Sequence, residues 1–183
     1  MKICRPFKNA SVLSITNGFS QEHQANDFSC KFGEFLVAVC NSKVLSIVGI
    51  ESDMDEPDMG SLSNGYGIRL QSTEDPTITY TYWHCQGIFG LKKGDIILQG
   101  QVVAMGGNSG FVLSNGELVE VDRKLIAPFP GTHLHWSMGK NNPDGTYTAL
   151  DPSKLISWEI SINYSIIDTI SLFLKSIFNF LKK

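Results

Sequence analysis

The chain is short of the features that most quickly name a function. It has no Cys-x-x-Cys pair: Cys4, Cys30, Cys40 and Cys85 stand apart, which excludes a zinc ribbon and a thioredoxin-like redox motif. Scattered thiols in a chain of this size are expected to be buried and free. Basic charge is not in surplus either. Fifteen Lys and Arg face eighteen Asp and Glu, a net charge of −3, which argues against a nucleic-acid partner. The opening "MKICRPFKNASVLSITNG" has no continuous apolar stretch and no small-residue cleavage site, so a secretory signal peptide is not expected. Histidine is scarce, at four in 183 residues. Where those four fall therefore carries information.

What is present is a globular composition, 42% hydrophobic and 18% charged, enough for one domain with a real core plus a tail. Short β-branched and aromatic runs dominate: residues 34–40, 43–50, 66–72 and 77–84 read as strands. "TITYTYW" alternates Thr with larger side chains, the period-2 pattern of a strand with two distinct faces. "KKGD", "LQGQ" and "MGGNSG" read as turns, and 117–121, 124–129 and 133–138 as further strands. The expected class is mainly β, an antiparallel sheet or sandwich over residues 1–156. Residues 51–65 are acidic, with Pro and Gly and no EF-hand pattern, and read as a solvated loop.

Residues 157–183 form a separate tail. From Ser165 onward it carries Ile166, Ile170, Phe173, Leu174, Ile177 and Leu181 on helical spacing. Asp168, Lys175 and several Ser, Thr and Asn residues make this amphipathic helix too polar for a membrane span. Its roles stay open between packing on its own domain, contact with other copies or a virion, and a membrane surface.

His133 and His135 sit two apart in "GTHLHW", on one face of a strand. "HQAND" places His23 four residues before Asp27, and His84 closes "YTYWH". Imidazole nitrogen and carboxylate oxygen are zinc ligands, and two His with one Asp leave one coordination position open, as in a catalytic site. Spacing alone does not choose which histidines bind.

Taken in order, "HQAND", "YTYWH", "KKGDIILQGQVVAMGGNSG" and "GTHLHW" resemble the LytM/lysostaphin-type zinc metalloendopeptidases, which cut peptidoglycan peptide cross-links. The likeness covers residues 15–152 and absorbs every histidine. It implies the LytM (duplicated hybrid motif) fold, a Zn²⁺ cofactor, peptidoglycan stem peptides and cross-bridges as substrate, and His23, Asp27 and His135 as metal ligands. His84 and His133 become the two catalytic, non-ligand histidines. Ala25 stands where the pattern usually has Gly, a change that costs little at negative φ. Residues 111–132 are an insertion between the "GNSG" and "HLH" elements. Its "SNGE" is a turn signal for an extra hairpin near the cleft, which bears on substrate range rather than on the metal. The alternative function is an inactive LytM-type domain that binds wall or a partner. An enzyme made in the cytoplasm without a signal peptide and acting on the wall fits a bacteriophage lysin or a virion-associated tail enzyme.

Overall fold

A computed structural model describes residues 3–8, 14–48 and 65–157. The acidic stretch 51–64 and the helix expected over 165–183 lie outside the described residues. Among the described residues twelve strands follow in chain order: β1 (Ile15–Asn17), β2 (Asn26–Ser29), β3 (Phe35–Val37), β4 (Ser42–Val48), β5 (Tyr66–Ser72), β6 (Ile78–Ile88), β7 (Ile96–Ile97), β8 (Val102–Gly106), β9 (Leu113–Ser114), β10 (Glu117–Leu118), β11 (His133–Asn141) and β12 (Tyr147–Leu150), with one helical turn, α1 (Val121–Lys124), between β10 and β11. The main sheet runs β1-β2-β11-β6-β5-β4-β7, with β12 beside β11 and β8 joining β6 to β3. Every strand pair in it is antiparallel, so the expected mainly β, antiparallel class holds.

Alternation along β6 and β11 divides the sheet into two faces. Tyr80, Tyr82, Leu134, Trp136 and Met138 point one way and are buried with Phe28, Leu36, Val44, Ile68 and Leu70. Two tyrosines are tolerated there because their hydroxyls are used: Tyr82 donates to the Val37 carbonyl at 2.8 Å, and the Tyr80 hydroxyl lies 2.7 Å from Ser42 Oγ. The four cysteines are free; Cys4, Cys40 and Cys85 are buried and Cys30 is partly so. Thr79, Thr81 and Trp83 of β6, with His133, His135 and Ser137 of β11, take the opposite face, where the two threonines are buried and the other four residues partly exposed. Trp83 lies over Gly67, where an added Cβ would come within 2.3 Å of the indole. Tyr147 covers Gly139 in the same way, 2.2 Å from the place a Cβ would take. These two glycines let large rings lie flat against the sheet.

Within the insertion, β9 and β10 form a hairpin whose turn residues Asn115 and Gly116 have φ of 53° and 83°. This is the Asn-Gly chemistry of a two-residue turn with both φ positive. Beyond it the structure departs from the expected strands. The 117–121 run stops at Leu118, and 124–129 is not a strand: Val121–Lys124 makes a helical turn and the chain then arches. Pro128 removes a donor within that run and Pro130 removes another just after it. Asn108 draws its two ends together, its Nδ2 donating to the carbonyls of Lys124 at 2.8 Å and Pro130 at 2.9 Å. Lys124, itself buried, donates to the Gly110 carbonyl, and Phe129 stacks on Phe32 at 4.2 Å between ring centroids. The insertion is thus fastened to the loop after β8 and to the turn after β2.

Candidate metal centre

β2 and β11 pair in antiparallel register with Asp27 opposite His135 and Ser29 opposite His133, so three site residues gather across two adjacent strands. His23 comes from the β1–β2 connection. A turn in which its main chain bonds Ser20 through both N and O returns it to the sheet. Ala25 is buried and is not among the residues with positive φ, so its methyl group brings no backbone strain there.

His84 needs a different device. By plain alternation it would follow Tyr82 into the core. Between Tyr66↔Cys85 and Ile68↔Tyr82 the ladder passes two steps on β5 and three on β6, a bulge that contains Trp83 and His84. His84 takes a left-handed φ of 59°, which turns the imidazole to the opposite face, beside His133, at 4.6 Å between ring centroids, and His135, at 5.8 Å. A non-glycine residue in that region stores strain of about 1–3 kcal/mol, a pattern concentrated at functional sites.

The donor atoms of His23, Asp27 and His135 converge. His23 Nε2 lies 3.4 Å from Asp27 Oδ1 and 3.4 Å from His135 Nδ1, and Asp27 Oδ1 lies 2.8 Å from His135 Nδ1. Ligands about 2.0–2.1 Å from a tetrahedral zinc stand about 3.3 Å from each other, so the triangle is of the right size. Asp27 Oδ1 is buried and has no hydrogen-bond partner, so the 2.8 Å approach of His135 Nδ1 is not that of a seated N–H donor. Two lone-pair atoms facing one point fit a shared cation. These three also form the one group of His, Cys, Asp or Glu among the described residues that could hold a metal ion.

Backbone carbonyls fix the outer edges of the other rings. Gly18 O faces His23 Nδ1 at 3.2 Å, Gly131 O faces His133 Nδ1 at 2.8 Å, and Ser109 O faces His84 Nδ1 at 2.7 Å. Each contact orients its imidazole so that Nε2 points into the site, the usual supporting arrangement around a metal. His133 Nε2 stands 3.9 Å from Asp27 Oδ1. Burial, with the charge of His133 second, pushes the His84 pKa down to about 3, so this ring is neutral near neutral pH. Burial pulls the Asp27 carboxyl upward, but His135, His133 and His23 together bring it below its ordinary value.

All five residues singled out in the sequence therefore lie in one cluster. Sequence reading missed its supports: Gly18, Gly131 and Ser109 act through main-chain carbonyls, which leave no side-chain signal. Ser109 carries more than that contact. Its Oγ donates to Cys85 O at 2.7 Å and accepts from Tyr66 N at 2.9 Å, so it ties the bulge from both sides. The "GNSG" motif did mark its position.

No family model matches the chain, and no curated protein matches it by sequence. Solved structures do resemble it. A zinc-containing peptidase from Vibrio cholerae superposes with a TM-score of 0.53 at 19% identity, over 75% of this chain and 36% of that one. The antimicrobial peptidase lysostaphin from Staphylococcus simulans gives 0.53 at 19% identity, over 78% of this chain and 48% of that one. A mutant catalytic domain of the prophage-encoded M23 protein EnpA from Enterococcus faecalis gives 0.53 at 17% identity, over 83% of this chain and 95% of that one. The chain thus spans less than half of the Vibrio and lysostaphin structures and nearly all of the EnpA domain. With the sheet, the bulge and the histidine cluster in place, these likenesses show that the chain has the LytM-type fold of the M23 peptidases.

Proposed function

We propose that the protein is a zinc-dependent endopeptidase that hydrolyses peptide cross-links of bacterial peptidoglycan. The reading is carried by one observation: three donor atoms converge on a point that two further imidazoles face without joining the triangle. His23, Asp27 and His135 would hold the metal. Zinc so bound supplies Lewis acidity toward water and the scissile carbonyl. His133, its Nδ1 anchored on Gly131 O, presents Nε2 to take the proton from the attacking water and return it to the leaving amine. His84 is kept neutral by burial and anchored on Ser109 O, so its Nε2 accepts a hydrogen bond and orients that water. The order of the histidine motifs, which resembles that of the LytM/lysostaphin-type enzymes, supports peptidoglycan as the substrate, and the fold shared with lysostaphin supports peptidase chemistry. The fold shared with a prophage-encoded protein supports a phage lysin or virion-associated enzyme, made in the cytoplasm and acting on the wall. In this reading residues 1–156 are the peptidase unit, and 157–183 attach it to a virion, to other copies or to a membrane surface.

The test pairs metal content with wall lysis. Wild type is expected to carry about one zinc per chain and to release peptides from purified peptidoglycan. His135→Ala should lose both properties, and His84→Ala should keep the metal and lose lysis. Equal lysis by wild type and both variants would overturn the enzyme reading. Bound zinc without cleavage of any wall type would leave the inactive wall-binding module in its place. Truncation after residue 160 tests the tail through virion incorporation, oligomeric state and liposome binding.

A further inference from the structure

The sheet face that carries the histidines continues beyond them. Arg69 on β5 pairs with Thr81 of β6, which pairs with Ser137 of β11, while His135 pairs with Trp83 two residues along β6. Two strand spacings and two residue rises put the Arg69 Cα about 12 Å from that of His135, roughly the span of three extended residues. Arg69 is exposed, and its guanidinium reaches along the face to Thr79 Oγ1 at 3.5 Å. Its charge also acts on the Tyr147 phenol, which burial pushes up and which bonds Thr79. Among the described residues no Asp or Glu forms an ion pair with Arg69. Lys43, on the same face, pairs with Gln71, one strand and two residues farther from the site. Thr79 is buried and holds the guanidinium from beneath, while Tyr147 is exposed beside it; a planar, permanently charged fork so held suits a carboxylate, which it can bind through two parallel hydrogen bonds.

We infer that Arg69, held from beneath by Thr79 and flanked by Tyr147, forms a subsite for a free carboxylate of the peptide substrate, about three residues from the scissile bond. The inference rests on the peptidase reading and narrows it. Direct cross-links of the diaminopimelate type carry such carboxylates near the cleaved bond, whereas a glycine bridge has none within it. The subsite therefore selects carboxylate-bearing stems.

The experiment uses the zinc-loaded full chain and three probes: a diaminopimelate-type cross-linked muropeptide dimer, the same dimer with its carboxylates amidated, and a pentaglycine-bridged peptide. Wild type should show a KM about tenfold lower for the free dimer than for the amidated one, the ratio expected of one charge-assisted pair. Arg69→Ala should raise KM for the free dimer about tenfold, leave kcat within about twofold, and leave the other two probes unchanged. Arg69→Lys should restore part of the loss. A KM that rises equally for free and amidated dimers, or for neither, overturns the subsite while the peptidase reading stands. If wild type cleaves none of the probes, the peptidase reading falls, and calorimetric binding of the same dimers then decides the subsite. About tenfold weaker binding of the free dimer by Arg69→Ala sustains it; equal binding, or none by wild type, removes it.

Discussion

The left-handed backbone at His84 offers a test in which the usual order of two substitutions reverses. His84→Ala and His84→Gly both remove the imidazole, its bond to Ser109 O and the same packing volume, and they differ by one methyl group. At an ordinary strand position glycine is the worse of the two by about 0.5–1 kcal/mol, because it loses more chain entropy on folding. At φ 59° alanine keeps the left-handed strain, about 1–2 kcal/mol for an L residue, and glycine sheds it. The difference favours His84→Gly by about 1 kcal/mol after the entropic term is subtracted. For a chain of this size that is about 2–4 °C in Tm. Urea unfolding of the metal-free variants near pH 8 measures it, with equal slopes required so that midpoints report stability alone. Alanine as stable as glycine, or more so, would refute the bulge as the means by which the fourth imidazole is turned outward. Both variants should lack wall lysis, so the stability order is independent of the activity readout.

Acid should weaken the metal-free protein. The folded pKa of His84 lies near 3, below its ordinary 6.5, so the unfolded chain takes up this proton first. The associated stability is complete above about pH 6.5 and is lost as pH falls toward 3, at up to about 1.4 kcal/mol per unit. His84→Ala should flatten the curve between pH 6 and 4, and an unchanged slope would reject burial as the cause. The lowered carboxyl of Asp27 adds a loss of the same sign at the acid end. Gly65→Ala should cost more than about 2 kcal/mol, since Gly65 has φ +64° and an added Cβ would meet the Ser109 carbonyl carbon at 2.3 Å. A loss below about 0.5 kcal/mol in chemical denaturation would show that the Ser109 support tolerates displacement.

How much of this was legible in the sequence depends on whether side chains or main chain carry the signal. The alternation in "TITYTYW" located the two faces of β6, and the order of the histidine motifs singled out His23, Asp27, His84, His133 and His135. The bulge at Trp83–His84 was not legible: parity alone sends His84 into the core, and the extra residue shows only in the register against β5. The carbonyl supports at Gly18, Ser109 and Gly131 were hidden for the same reason. The 124–129 run misled because β-branched and apolar residues specify a strand only where a neighbouring strand can pair with it. Here Pro128, Pro130 just after the run and the Asn108 clamp left no such neighbour, and Leu125 and Ile126 are exposed. Arg69 drew no notice in the sequence, since one arginine in a strand becomes informative only when the register sets it beside the histidines.

The bridge between Gly107 and His133 has a bearing on how such a fold changes over generations. The chain leaves the sheet and rejoins it at two facing positions, so whatever lies between is a closed excursion. Doubling its length adds only about 0.6 kcal/mol of closure entropy, while the strand ends that hold the histidines stay stitched together. Duplication, loss or exchange of residues 111–130 can therefore proceed by small steps, each altering the rim while Ser109 and Gly131, at the two ends of the excursion, keep their hold on His84 and His133. A lineage under changing demands has in this facing pair of residues a place to experiment.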